Sequence, residues 1–137
     1  MNEKLTKDNK DSIKKQFQAA LADGIEESDL VYAAEKGKSK LEAIAINVRG
    51  KFEEMIKILS VMISMLSDYK NGTYREIPVG SVAAVVIAVL YFINPFDVIP
   101  DIVPGVGYAD DAFIVLLALK LVQTDLDAYE KWKASLT

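Results

Sequence analysis

The 137 residues contain no cysteine and no histidine. Without cysteine there is no disulfide, no thiolate nucleophile and no Cys-ligated zinc site. Without histidine the chain lacks the usual general base at neutral pH, every Ser-His-Asp or Cys-His arrangement, and the commonest transition-metal ligand. Catalysis would have to rest on carboxylates, Lys or Tyr, or on a hard cation held by oxygen. No phosphate-cradling glycine loop or nucleophile elbow occurs either. The expectation is a protein that is not an enzyme and carries no cofactor. Strand-type alternation, internal repeats and low-complexity segments are likewise absent. The opening run Met1 to Asp8 is charged and has no apolar core, so it does not read as a secretory signal. A cytoplasmic location is expected, with inner-membrane association as the alternative.

Positive charge is also missing from one region. Residues 1–76 carry 13 basic and 13 acidic side chains, whereas residues 77–137 carry three basic against seven acidic ones and so hold the whole net charge of −4. Between Ile77 and Leu119 there is no Lys or Arg at all. Nucleic-acid binding needs the opposite field, and a basic partner suits this one.

The remaining pattern is helical. Ile13, Phe17, Ala20 and Leu21 share one face of a short helix over 10–22 that ends near Gly24. A second helix is expected over 28–36, with Leu30, Val31 and Ala34 inward and Gly37 as its stop. Ser39 and Glu42 have the spacing of a capping box, which opens a long amphipathic helix over 39–71. Its apolar stripe runs from Leu41 through Phe52, Met55, Leu59, Met62 and Leu66 to Tyr69, and Asn71-Gly72 ends it. Pro78 suits the first turn of the next helix, 78–93, which is apolar on every side. A last helix follows from Ala112. These readings predict one all-α domain of 137 residues: a compact bundle of about five helices, with short helices over 1–38, the long helix, and an apolar hairpin over 77–127 whose central helix is 78–93. An all-apolar helix is either enclosed by protein or immersed in lipid. Residues 77–93 carry no charge but are only seventeen in number, at the lower limit for spanning a bilayer.

The two halves of that hairpin are separated by a proline- and aspartate-rich elbow over 94–110. Asn94-Pro95 is an N-cap followed by proline at a first helical position. Asp97 can accept backbone N–H groups, Pro100-Asp101 can start a second short turn with Asp101 as its cap, and Pro104-Gly105 can make another. Gly107 can supply a positive φ. Asp110 and Asp111 fall where the last helix begins, and negative charge is stabilised there. A sharper reading gathers Asp97, Asp101, Asp110 and Asp111 as oxygen ligands for Ca²⁺ or Mg²⁺, but their spacing matches no EF-hand loop, and capping already employs each of them. No metal is therefore expected.

The elements Tyr91, Pro95, Asp97, Ile99, Pro100, Asp101, Gly107, Tyr108, Asp110 and Asp111, in this order, resemble the signature of the YkvA-like family of small bacterial proteins, a domain of unknown function. The segment Asp68 to Pro78 also resembles the longer members. The resemblance implies a helical fold and no established reaction, cofactor or substrate; some members look membrane-associated.

Three functions follow as expectations. The first is a protein-binding module, in its most concrete form an acidic immunity-type protein that neutralises a basic toxin such as a nuclease. Its candidate surface is Glu26, Glu27, Asp29 and Glu35 with Asp125, Asp127 and Glu130. The second is a membrane-associated protein that inserts 77–122 as a hairpin. The third is a divalent-cation-binding protein using the elbow aspartates.

Overall fold

The computed structural model describes residues 7–45, 52–93 and 108–136. Five helices occur among them: α1 (Lys7–Asp23), α2 (Glu27–Ala45), α3 (Phe52–Lys70), α4 (Val79–Ile93) and α5 (Tyr108–Ala134). No strand occurs among the described residues, and the class is all-α.

Helix ends follow local chemistry. Gly24 takes a positive φ of 79°, and its N–H reaches the carbonyls of Ala20 and Leu21, which closes α1. At the start of α2 the Asp29 carboxylate reaches back to the Glu26 N–H at 2.9 Å, the reciprocal half of a capping box. At the end of α3, Gly72 has φ 81°, its N–H bonds the Tyr69 carbonyl, and Thr73 N–H bonds the Asp68 carbonyl at 2.9 Å. That pair of bonds is a Schellman motif, so Asn71-Gly72 terminates the helix as expected. The Pro78 carbonyl accepts the first bonds of α4 from Ser81 and Val82.

Three expectations are corrected. Gly37 does not stop a helix and Ser39 does not start one, because α2 runs through both. Ser39 Oγ instead donates to the Glu35 carbonyl one turn back, at 3.2 Å. Gly37 is needed for closeness: a Cβ there would sit 2.8 Å from Val89 Cγ1 and 3.2 Å from Ile63 Cδ1. The expected long helix 39–71 is two helices, α2 and α3, packed side by side. A single straight helix would leave most of the Met55–Leu66 stripe without α2 to cover it. The last helix also starts earlier than expected, at Tyr108 rather than Ala112.

Cross-helix contacts fix the directions. Gly37 faces Val89 and Lys40 reaches Phe92, so α2 and α4 run parallel. Ser64 meets Tyr129 and Asp68 meets Lys133, so α3 and α5 run parallel. Gly37 faces Ile63 while Glu35 pairs with Lys70, so α2 and α3 run antiparallel. The four helices pack in the cyclic order α2, α3, α5, α4, with α3 also touching α4, and α1 lies across α4 and α5. Every other helix therefore touches α4. Its residues Val82 to Val89, with Tyr91 and Phe92, are buried, which explains a helix with no polar face: it has no solvent side. No described helix is long and apolar enough to cross a membrane.

Candidate functional site

The principal polar cluster is built where the end of α3 meets the last turns of α5. Ser64 and Asp68 lie one turn apart on α3, and Tyr129 and Lys133 lie one turn apart on α5, so parallel packing brings the pairs together in register. Tyr129 Oη donates to Asp68 Oδ2 at 2.6 Å. With its single proton committed there, it accepts from Ser64 Oγ, also at 2.6 Å. Lys133 Nζ donates to the same Asp68 oxygen at 2.8 Å, and Thr73 Oγ1 donates to the Asp68 carbonyl at 3.1 Å. Tyr129 also stacks edge-on with Tyr74 at 5.1 Å and lies against Trp132 at 5.8 Å, so its ring is held as firmly as its hydroxyl.

Titration in this cluster is pushed away from neutrality. Burial alone would raise the Asp68 carboxyl, but hydrogen bonds from Lys133, Tyr129 and Thr73 and the Lys133 charge outweigh it and hold Asp68 below the ordinary aspartate range. Burial, then the bond to Asp68, pushes the Tyr129 phenol up. The bond to Asp68 raises Lys133. At neutral pH these are a carboxylate, a neutral phenol and an ammonium, none poised to exchange a proton. The cluster's chemistry is that of a lock between α3, the turn after it, and α5.

A second lock closes the other end of α4. Lys40 of α2 donates to the carbonyls of Phe92 at 2.5 Å and Ile93 at 3.1 Å, and its ammonium lies 5.0 Å from the Phe92 ring centroid. A cation is favoured at a helix C-terminus, and here the last turn of α4 obtains one from a neighbouring helix.

The acidic candidates do not form one surface. Glu27, Asp29 and Glu35 are on α2 and Glu26 immediately precedes it, whereas Asp125, Asp127 and Glu130 are on α5, at the opposite corner of the bundle. Several are already engaged: Asp29 in its cap, Glu35 with Lys70 at 3.3 Å, Asp125 by Ser81 Oγ at 2.6 Å, and Asp127 by Gln123 at 3.0 Å. Of the signature residues, Tyr91 is buried in α4. Asn94, Pro95, Asp97, Ile99, Pro100, Asp101, Pro104 and Gly107 lie outside the described residues. Tyr108, Asp110 and Asp111 fall in the first turn of α5, and their side chains lie outside the described set. Among the described residues no group of three acidic side chains could hold a metal ion.

Sequence reasoning passed over both the lock and one surface. The signal for the lock was the matching i, i+4 spacing of polar residues, Ser64/Asp68 and Tyr129/Lys133, on otherwise apolar helix faces. The surface is the outer side of the first half of α5. Leu116 is 50% and Leu121 60% exposed, and Phe113 and Leu117 are half-buried beside them. Phe113, Leu117 and Leu121 are successive steps of four, as are Leu116 and Lys120, so the two rows adjoin on one face.

A family described as protein of unknown function, DUF1232, matches residues 81–117, which span most of α4 and the first part of α5. An uncharacterized membrane protein of Bacillus subtilis (strain 168), YkvA, is 35% identical over 89 residues, 65% of this chain and 84% of that protein. No solved structure matches.

Proposed function

We propose that this chain, which belongs to the YkvA-like DUF1232 family, is a non-catalytic helical protein that docks reversibly on a membrane surface through the outer face of the first half of α5. The carrying observation is the clustering of Leu116 and Leu121, each at least half exposed, beside Phe113 and Leu117. A single exposed leucine is ordinary; adjoining apolar rows on one face mark a contact surface. Lys120 lies within the patch and can lay its stem on the apolar surface while its ammonium stays among headgroups. The membrane designation of the B. subtilis relative supports the same reading.

Peripheral docking fits this fold better than insertion. Inserting 77–122 would strip α4 of helices that bury it on all sides. Full burial of a leucine contributes roughly 1.5–3 kcal/mol, and Leu116 and Leu121 are about half exposed, so the pair contributes roughly 2–3 kcal/mol. That is less than a single myristoyl chain supplies, so reversible association also needs the half-buried Phe113 and Leu117 to enter the surface and Lys120 to meet anionic headgroups. A basic toxin domain as partner finds less support, since the acidic side chains it would need are divided between opposite corners of the bundle. The elbow aspartates of the cation reading lie outside the described residues or have side chains that do.

Flotation with phosphatidylethanolamine–phosphatidylglycerol vesicles tests the proposal. The intact chain is expected to float with vesicles and to be released by a carbonate wash. The Leu116→Ser/Leu121→Ser variant should stay at the bottom of the gradient with an unchanged melting curve. Absence of the intact chain from the vesicle fraction would overturn docking, and carbonate-resistant retention would replace it with insertion.

A further inference from the structure

A different face of α5 forms a trough with α3. Its walls are Lys57, Ile58 and Val61 on one side and Leu119, Gln123 and Leu126 on the other, and it continues past Ser64 and Tyr129 to Glu130. Ile58, Val61 and Leu119 are only half-buried, so the floor is apolar and open. Contact between Ser64 and Tyr129 fixes the register: stepping back three residues on each parallel helix places Val61 level with Leu126. Lys57 then lies four residues before that level and Glu130 four residues after it. The two charges are about 12 Å apart along the helices, equally spaced about an apolar centre.

A two-fold axis suits this pattern. A self-matching interface brings residue i against j and j against i, so opposite charges at equal heights on either side of its axis are brought to the same level. We propose that the α3–α5 trough pairs antiparallel with the same trough of a second copy, with the axis passing beside Val61 and Leu126. Antiparallel stacking sets α3 on α3 and α5 on α5, so Lys57 of each copy comes level with Glu130 of the other across the shared trough, and the half-buried Ile58, Val61 and Leu119 of both copies cover one another. The competing partner of Lys57 within its own chain is weak: Glu54 lies 3.7 Å away, with both side chains more than 70% exposed. Lys133, the other cation by the trough, is committed to Asp68. The pairing leaves the outer face of Leu117 and Leu121 uncovered, so it does not depend on membrane docking.

Sedimentation equilibrium of the full chain and of two charge reversals decides it. The unaltered chain should associate reversibly to a dimer. Lys57→Glu and Glu130→Lys, each alone, place like charges together at two symmetry-related points and should each weaken dimerisation by about tenfold or more. An equimolar mixture of the two variants should recover association as a mixed dimer, detected by native mass spectrometry, because every cross-interface contact is then again between opposite charges. Pairing within one chain cannot produce that recovery. A monomer at all concentrations, single variants that dimerise like the parent, or a mixture no stronger than its components would each overturn the proposal. Both sites are exposed, and unchanged melting of each variant confirms that folding is not what changed.

Discussion

Replacing Gly37 with alanine sets two known effects against each other. Alanine in a helix interior is favoured over glycine by about 1 kcal/mol, so at an exposed position α2 would gain. At Gly37 the added Cβ would stand 2.8 Å from Val89 Cγ1 and 3.2–3.3 Å from two Ile63 carbons. Ordinary carbon contacts are about 3.5–4.0 Å, so α2 and α4 must separate by several tenths of an ångström or Val89 must turn. Val89 is fully buried and β-branched, which confines it to essentially one rotamer in a helix. Overpacking of this kind costs about 1–3 kcal/mol, and the stiffness of both neighbours puts Gly37 in the upper part of that range. The net expectation is a destabilisation of about 1–2 kcal/mol by urea unfolding. Adding Val89→Ala removes the clashing methyl, so the double variant should lose clearly less than the sum of the single losses. A Gly37→Ala chain as stable as the parent, or more so, would show that helix propensity outweighs the close approach and would refute the account of this glycine.

Two further predictions concern the lock on α3 and α5. Tyr129→Phe keeps the ring but removes the hydroxyl shared by Ser64 and Asp68; a loss of about 1–3 kcal/mol in urea unfolding is expected, and an unchanged midpoint would contradict it. Asp68 titrates lower in the folded chain than in the unfolded one, so its contribution is complete above the ordinary aspartate range and is lost as pH falls through the folded value. The melting temperatures of the parent and Asp68→Asn should therefore differ at neutral pH and converge on acidification from roughly pH 5 to 2, whereas parallel curves would exclude Asp68 as the source.

Much of the architecture was legible because α4 has so little ambiguity: fifteen residues without a polar face must be surrounded. Ile13 and Phe17 were likewise readable as core from spacing alone. The division of α2 from α3 was not. Gly37 and Ser39 look like punctuation in one dimension, yet the glycine serves contact with Val89 and Ile63 and the serine bonds back to Glu35. Both purposes depend on neighbours 26 or more residues away or on a helix already formed. The polar lock was hidden for a similar reason. Ser64 and Asp68 have the composition of a solvent face, and only the register of α5 supplies Tyr129 and Lys133 to them. The α5 patch was missed because apolar residues in a helix this rich in leucine read as core.

The enclosure of α4 has a consequence in time as well as in space. During synthesis α4 emerges from the ribosome before α5 does, so the side that α5 will cover is bare until the following 41 residues to Ala134 have emerged in turn. At 5–20 residues per second that interval is about 2–8 s, long compared with helix formation and hydrophobic collapse. α2 and α3 can already cover two sides, and Lys40 can already hold the last turn. For those seconds the nascent chain nevertheless presents the one segment with no polar face of its own, and the tightest part of the finished protein is the most vulnerable part of the unfinished one.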